Sequence, residues 1–171
     1  KPDSLKVKRK VRKILHRLHT DVETNIVFDG EAQSLNEAEA INYTLIFGQP
    51  RYQDNLAKIG YSAETNEQVE AMLSEEAIQL RQWLLDKYKA EHSRLNAVHE
   101  RLTGARLPME KNYAPVEFTV TSDSEIMRDP FQNSVDMDGF AAGFLRDRVE
   151  HQEPPRRASA LATYWAHTTK A

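Results

Sequence analysis

The side chains whose types and spacing could do chemistry are six histidines, an acidic loop and a basic N-terminus. His16 and His19 are one helical turn apart, and His92 and His99 are two turns apart. Helical zinc sites draw three or four ligands together, often as His-Glu-x-x-His, and di-iron bundles use Glu-x-x-His pairs. Neither pattern occurs here, so the histidines read as helix-surface residues and no metal or other cofactor is expected. Ser134-Val-Asp136-Met-Asp138-Gly139 has the Asp-x-Asp-Gly core of a calcium loop. Its first ligand would be Ser134 and its twelfth Leu145, which has no carboxylate to offer. A turn rich in Asp and Gly is the simpler reading. Asp123, Glu125, Asp129, Asp136 and Asp138 crowd together in sequence. General acid–base work needs two carboxylates in differing environments, which a solvated loop does not supply. With no cysteine there is no thiolate nucleophile and no disulfide framework. No Walker loop, Rossmann fingerprint, serine elbow or kinase signature is present. No catalytic residue is expected in this chain, which has little to work with as a free-standing enzyme.

The basic residues are unevenly placed. Lys1, Lys6, Lys8, Arg9, Lys10, Arg12, Lys13 and Arg17 fall in the first seventeen positions, opposed there by Asp3 alone. That is eight of 23 basic residues and one of 26 acidic ones, so the remainder holds 15 basic against 25 acidic side chains. A formal net charge of -3 argues against coating nucleic acid over the whole surface. Lysine and arginine on one helix can still displace counterions from a phosphate backbone. Lys6, Lys8, Arg9, Lys10, Arg12, Lys13 and Arg17 are therefore the candidate contacts to DNA, bound non-specifically, or to a protein partner. No aromatic residue is interleaved to stack on bases. A solvated face, or one paired with an acidic neighbour, is the plain alternative, and anionic membrane contact is the least favoured.

These groups must be carried by a framework. The chain has 171 residues, 40% hydrophobic and 29% charged, enough for one domain with a core. No apolar run approaches the roughly 20 residues of a membrane-spanning helix. The expected fold is mainly α: a multi-helix, bundle-like domain with one long helix and a short extended or β segment after it. Residues 4–24 place Val11, Leu15, Leu18 and Val22 on one stripe, with Val7 and Ile14 beside it. Residues 1–26 thus read as a basic amphipathic helix linking to a preceding part of a larger protein, of which this chain is expected to be a segment. Phe28-Asp29-Gly30 breaks the pattern.

Residues 27–121 read as a helical core ending in an extended segment. Ser34-Leu35-Asn36-Glu37 reads as a capping box opening a helix that runs to Phe47 and buries Ile41, Leu45 and Ile46. Gly48 and Pro50 end it. Short helices are predicted over residues 51–59, closed by Gly60, and over 66–72. Ser74 caps the longest helix, with Glu75 and Glu76 in its first turn, where the macrodipole favours negative charge. It runs about 28 residues, or about 42 Å, to Thr103. Leu80, Trp83, Leu84, Tyr88, Leu95, Val98 and Leu102 mark its expected buried side. Residues 116–121 alternate as a strand would. Residues 122–171 read as a loop to 152 and a helix over 156–169, with Ala160, Leu161, Tyr164 and Trp165 as its apolar side.

The sharpest local pattern is Leu102-Thr103-Gly104-x-x-Leu107-Pro108-x-x-x-Asn112-Tyr113-x-Pro115. Gly104 should stop the helix and Pro108 stiffen the exit. Tyr113 can pack its ring while its hydroxyl finds a partner. Pro115 pushes Ala114 toward extended geometry. Gly104, Pro108, Asn112, Tyr113 and Pro115 together read as a structural motif, a fixed chain reversal. Two further blocks accompany it, Arg51-Tyr52-x-x-Asn55-Leu56-x-x-x-Gly60-Tyr61 and Gly143-Phe144-x-x-x-Arg148. In this order the three blocks resemble a helical region recurring in large bacteriophage and prophage polyvalent proteins and in giant internal virion proteins ejected with the genome. The resemblance extends from about residue 34 onward. It implies a non-catalytic structural module of a large virion protein, held in the capsid or connector and delivered to the host envelope or cytoplasm on infection. Its implied partners are other modules or copies of the same protein and other virion proteins. The alternative it implies is a nucleic-acid-contacting accessory domain of a phage polymerase or DNA-modifying polyvalent protein.

Overall fold

Alternating helical and extended signals resolve into six α-helices and one β-hairpin in a computed structural model that describes residues 3–108, 111–116 and 154–169. The order is α1 (Asp3–Leu18), β1 (Val22–Phe28), β2 (Glu31–Leu35), α2 (Glu37–Phe47), a 3-10 turn (Pro50–Tyr52), α3 (Gln53–Ala57), α4 (Ala63–Ala71), α5 (Glu75–Thr103) and α6 (Ala160–Thr169). The mainly helical character and the long helix agree with the sequence. The hairpin does not: the helix predicted through residue 24 stops at Leu18, and Val22 is exposed in β1. Asp29 and Gly30 both take positive φ, 53° and 81°, which is the two-residue turn that matches strand twist. The strands pair Val22 with Leu35 and Phe28 with Glu31, and a bulge lies between Glu23 and Val27. There the Thr24 hydroxyl donates to the Gln33 carbonyl and accepts from the Ile26 N–H.

α2 is the centre of the core. After its first turn it offers apolar or small polar side chains on every face, and such a helix must be surrounded. Ala38, Ala40, Ile41, Asn42, Tyr43, Thr44, Leu45 and Ile46 are all buried. α4, α5 and α6 pack around it and Phe28 of the hairpin meets its Tyr43 edge-on, each buried large apolar side chain contributing about 1.5–3 kcal/mol. Its cap is not the expected one. Asn36, not Ser34, accepts the backbone N–H of Glu39, and the Glu39 carboxylate returns a bond to the Asn36 N–H. Ser34 lies within β2 and has extended backbone, so the box sits two residues later. α4 likewise begins at Ala63, capped by Ser62, ahead of the predicted residue 66.

α5 follows the sequence reading at both ends. The Ser74 hydroxyl accepts from the Ala77 N–H, and Gly104 closes the helix in the left-handed region at φ 72°. Its buried side is narrower than expected, running through Ala77, Leu84, Tyr88, His92 and Leu95. Trp83, Val98 and Leu102 are exposed, Leu102 by 78%. The stripe is apolar beyond the point where the rest of the described fold reaches it. The last helix begins at Ala160, later than the predicted 156, and Arg157 lies in the irregular stretch before it, where it holds Glu39. Its inner side runs through Ala160 and Thr163, while Trp165 is 63% exposed. The predicted strand over 116–121, apart from Val116 itself, and the predicted loop to 152 lie outside the described residues.

Candidate functional site

The motif after α5 forms a corner whose side chains bond to the rest of the fold. Beyond Gly104 the chain doubles back along α5. The Leu107 N–H donates to Asn96 Oδ1 at 2.7 Å, and His92 Nε2 faces the Pro108 carbonyl at 3.2 Å. His92 is 8% exposed, so the surface reading of this histidine is corrected: it is buried beneath the returning chain. Asn112 takes the left-handed conformation at φ 57°, a region Asn tolerates, and its Nδ2 donates to the Gly48 carbonyl. Gln49 Nε2 donates to the Ala114 carbonyl at 3.0 Å. Ala114 and Pro115 are buried, and Tyr113 packs edge-on to Tyr88 at 6.3 Å. Gly104, Pro108, Asn112, Tyr113 and Pro115 are therefore brought together as one strap from the end of α5 to the C-terminus of α2.

Between this strap and α5 lies a groove of about 240 Å³, lined in part by Gln82, Asp86, Lys89, His92, Asn112 and Tyr113. A second cleft of about 220 Å³ shares Gln82, Leu85 and Asn112 with it. These walls offer hydrogen bonds and ring surface. His167 of α6 stands near Tyr88 and Tyr113, and burial lowers its pKa from the ordinary 6.5 while Glu91 draws it back up.

The basic helix behaves differently along its length. The side chains of Lys6, Lys8 and Lys10 lie outside the described residues. Arg9, Arg12 and Lys13 are exposed. Arg17 is engaged within the chain: its guanidinium donates to Ser74 Oγ at 3.0 Å and pairs with Glu76 at 3.1 Å and Glu37 at 3.7 Å. Leu18, 1% exposed, seats the end of α1 in the core. The helix is thus anchored at its foot and presents cations above it.

Two ties that the sequence reading missed join the chain's distant parts. Arg157 donates to both oxygens of Glu39, at 2.9 and 2.8 Å, and to the Ser34 carbonyl. His19 places Nδ1 2.8 Å from the Leu15 carbonyl and Nε2 3.0 Å from Ser159 Oγ. With Nδ1 protonated, the ring donates to Leu15 and accepts the Ser159 hydroxyl. An oriented histidine beside a serine is also how nucleophiles are activated. Here the bond is on the open surface, where water competes for the hydroxyl, and it works as a clasp between α1 and α6. No periodic signal marks either tie; both depend on pairs more than a hundred residues apart.

Among the described residues no group of three or more His, Asp or Glu is arranged to hold a metal, and no helix is long and apolar enough to cross a membrane. The Asp123–Asp138 carboxylates, the Ser134–Leu145 loop and the Gly143–Arg148 block lie outside the described residues. The Arg51–Tyr61 block is inside, and Tyr52, Asn55, Leu56 and Tyr61 are buried in the core, with Gly60 at φ 74°. No known protein family, curated protein or solved structure matches this chain.

Proposed function

We propose that this chain is a non-catalytic structural module of a large bacteriophage virion protein, an internal protein that assists genome delivery. The observation that carries the reading is the strap. The block with the sharpest resemblance to the phage proteins, Gly104 to Pro115, puts its distinctive residues into internal bonds and packing. A block of this kind preserves a shape, and a module defined by shape serves contacts with neighbours. In this reading the helices act as a bundle-like spacer, with α1 and the exposed flank of α5 meeting sister modules, copies or other virion proteins. Its place is the particle interior, in the capsid or connector, with delivery to the host envelope or cytoplasm.

Quantitative mass spectrometry of purified particles tests this. Peptides of this chain should be present in full particles and missing from particles that have released their genome. Peptides retained in emptied particles would instead make it a fixed head or tail component. Absence from both would remove the virion reading.

The exposed Arg9, Arg12 and Lys13 support a second reading, a nucleic-acid-contacting accessory domain of a phage polymerase or DNA-modifying protein. In that case duplex DNA binds at low salt and is lost when Lys8, Lys10, Arg12 and Lys13 are reversed to glutamate. No binding at low salt would sink it.

A further inference from the structure

Arg9, Arg12, Lys13 and His16 recur at i, i+3, i+4 and i+7, which places them on one face of α1. All four are exposed. Leu18, which seats α1 in the core, comes nine residues after Arg9, about two and a half turns on, and so points the opposite way. Arg9, Arg12 and Lys13 have no acidic partner among the described residues; the chain's own carboxylates reach only Arg17 at the foot.

A counterpart lies on α4. This helix carries Glu64, Glu67 and Glu70 and no lysine or arginine. All three are exposed, while Thr65 and Val69 face the core. Arg81 holds Glu70 at 2.8 Å, but Glu64 and Glu67 have no basic partner among the described residues. Glu64 and Glu67 are one turn apart, and such neighbours lie about 5–6 Å from each other, the same spacing as the cations of α1. Leu15, 41% exposed, borders the basic row, and the exposed Ala71 lies among the acidic one. That leaves apolar surface for a contact to cover on both sides.

We propose that the basic face of α1 docks on the acidic face of α4 in a second copy of this chain, joining copies head to tail. The inference rests on the reading of the chain as a structural module and supplies its partner surface. A copy fits better than nucleic acid on two grounds. α1 carries no Phe, Tyr or Trp to stack on bases. Outside the first seventeen residues the chain holds 25 acidic against 15 basic side chains, a balance that repels a phosphate backbone and attracts a cationic helix. Joined head to tail, each copy uses its basic face on one neighbour and its acidic face on another, so the contact is heterologous and copies add to a ring or a filament.

Sedimentation velocity of the whole chain tests this. The chain should self-associate in a concentration-dependent way, and association should weaken by about tenfold or more as salt rises from about 50 to about 300 mM. Two charge-reversed variants sharpen the result, Arg12→Glu with Lys13→Glu, and Glu64→Lys with Glu67→Lys. Each should be monomeric alone, with the circular dichroism of the parent, and their mixture should associate again because the swapped faces now match. A chain that is monomeric at low salt overturns the proposal, as does a mixture that stays monomeric. A monomer that binds duplex DNA through Arg12 and Lys13 also overturns it and assigns the face to nucleic acid. Failure here, with peptides still found in full particles, removes the docking but leaves the virion reading. Association by a chain absent from particles does the reverse.

Discussion

Tyr61 tests whether the core is organised as described. Its side chain is 1% exposed and stacks on Tyr43 at 5.3 Å with an interplanar angle of 17°. Phe28 meets it edge-on at 5.3 Å, Phe47 lies at 5.9 Å, and its hydroxyl donates to Asn66 Oδ1 at 3.2 Å. Two substitutions separate these contributions. Tyr61→Phe keeps the ring and deletes one neutral hydrogen bond, which costs about 0.5–1.5 kcal/mol. Tyr61→Ala removes the ring from a site walled by three others, which cannot all collapse inward; losses of this type cost about 3–5 kcal/mol. A chain of this size loses about 2–4 °C of midpoint per kcal/mol, so Tyr61→Phe should melt about 3 °C lower and Tyr61→Ala about 12 °C lower. Thermal unfolding followed by circular dichroism, with urea midpoints alongside, gives both values. If Tyr61→Ala costs no more than Tyr61→Phe, the four rings do not form the joint between hairpin, α2 and α4, and the packing argument fails.

Gly104→Ala should cost about 1–2 kcal/mol, because a side chain at this left-handed position is strained although open space surrounds it. Gly104→Asn should cost less, and urea midpoints showing Ala and Asn both neutral would refute the helix-stop reading. Burial pushes the Tyr43 phenol from 10.0 up to about 12, and it raises Tyr61 and Tyr88 in the same direction. A folded pKa above the unfolded one means full stability below pH 10.0 and a loss as pH climbs through about 12. The urea midpoint should therefore be level up to that window and fall within it, less steeply in Tyr43→Phe; a parent midpoint unchanged across the window would mean that these phenols are open to water.

The helical framework was legible where a local rule acts alone. Ser74, Gly60 and Gly104 each satisfy a backbone requirement that any surroundings would impose. The hairpin was hidden because Val22 extends the stripe of Val11, Leu15 and Leu18 at helical spacing, and periodicity outweighed the turn signal of Asp29-Gly30. On α5 the apolar pattern alone could not say where cover ends, so Val98 and Leu102 read as buried. The corner was legible as a reversal, through its glycine and prolines. Its partners, Gly48 and Gln49 on one side and His92 and Asn96 on the other, are set by tertiary approach. The same holds for Arg157 and Glu39, whose pairing no spacing rule reaches across 118 residues.

That separation has a consequence for how the molecule is made. Arg157 reaches back to Glu39 and Ser34, and Ser159 to His19, over 118 to 140 residues. At about 5–20 residues per second, a ribosome releases Arg157 roughly 6–24 s after Glu39. Throughout that interval α2 and the hairpin lack the strand of chain that fastens them to α6. Closing so long a loop is slow, and the contacts that reward it come last. Docking of α6 therefore cannot precede the release of Arg157, and until it occurs the nascent protein carries an unfinished core, in the period when a chaperone or a neighbouring copy is best placed to intervene.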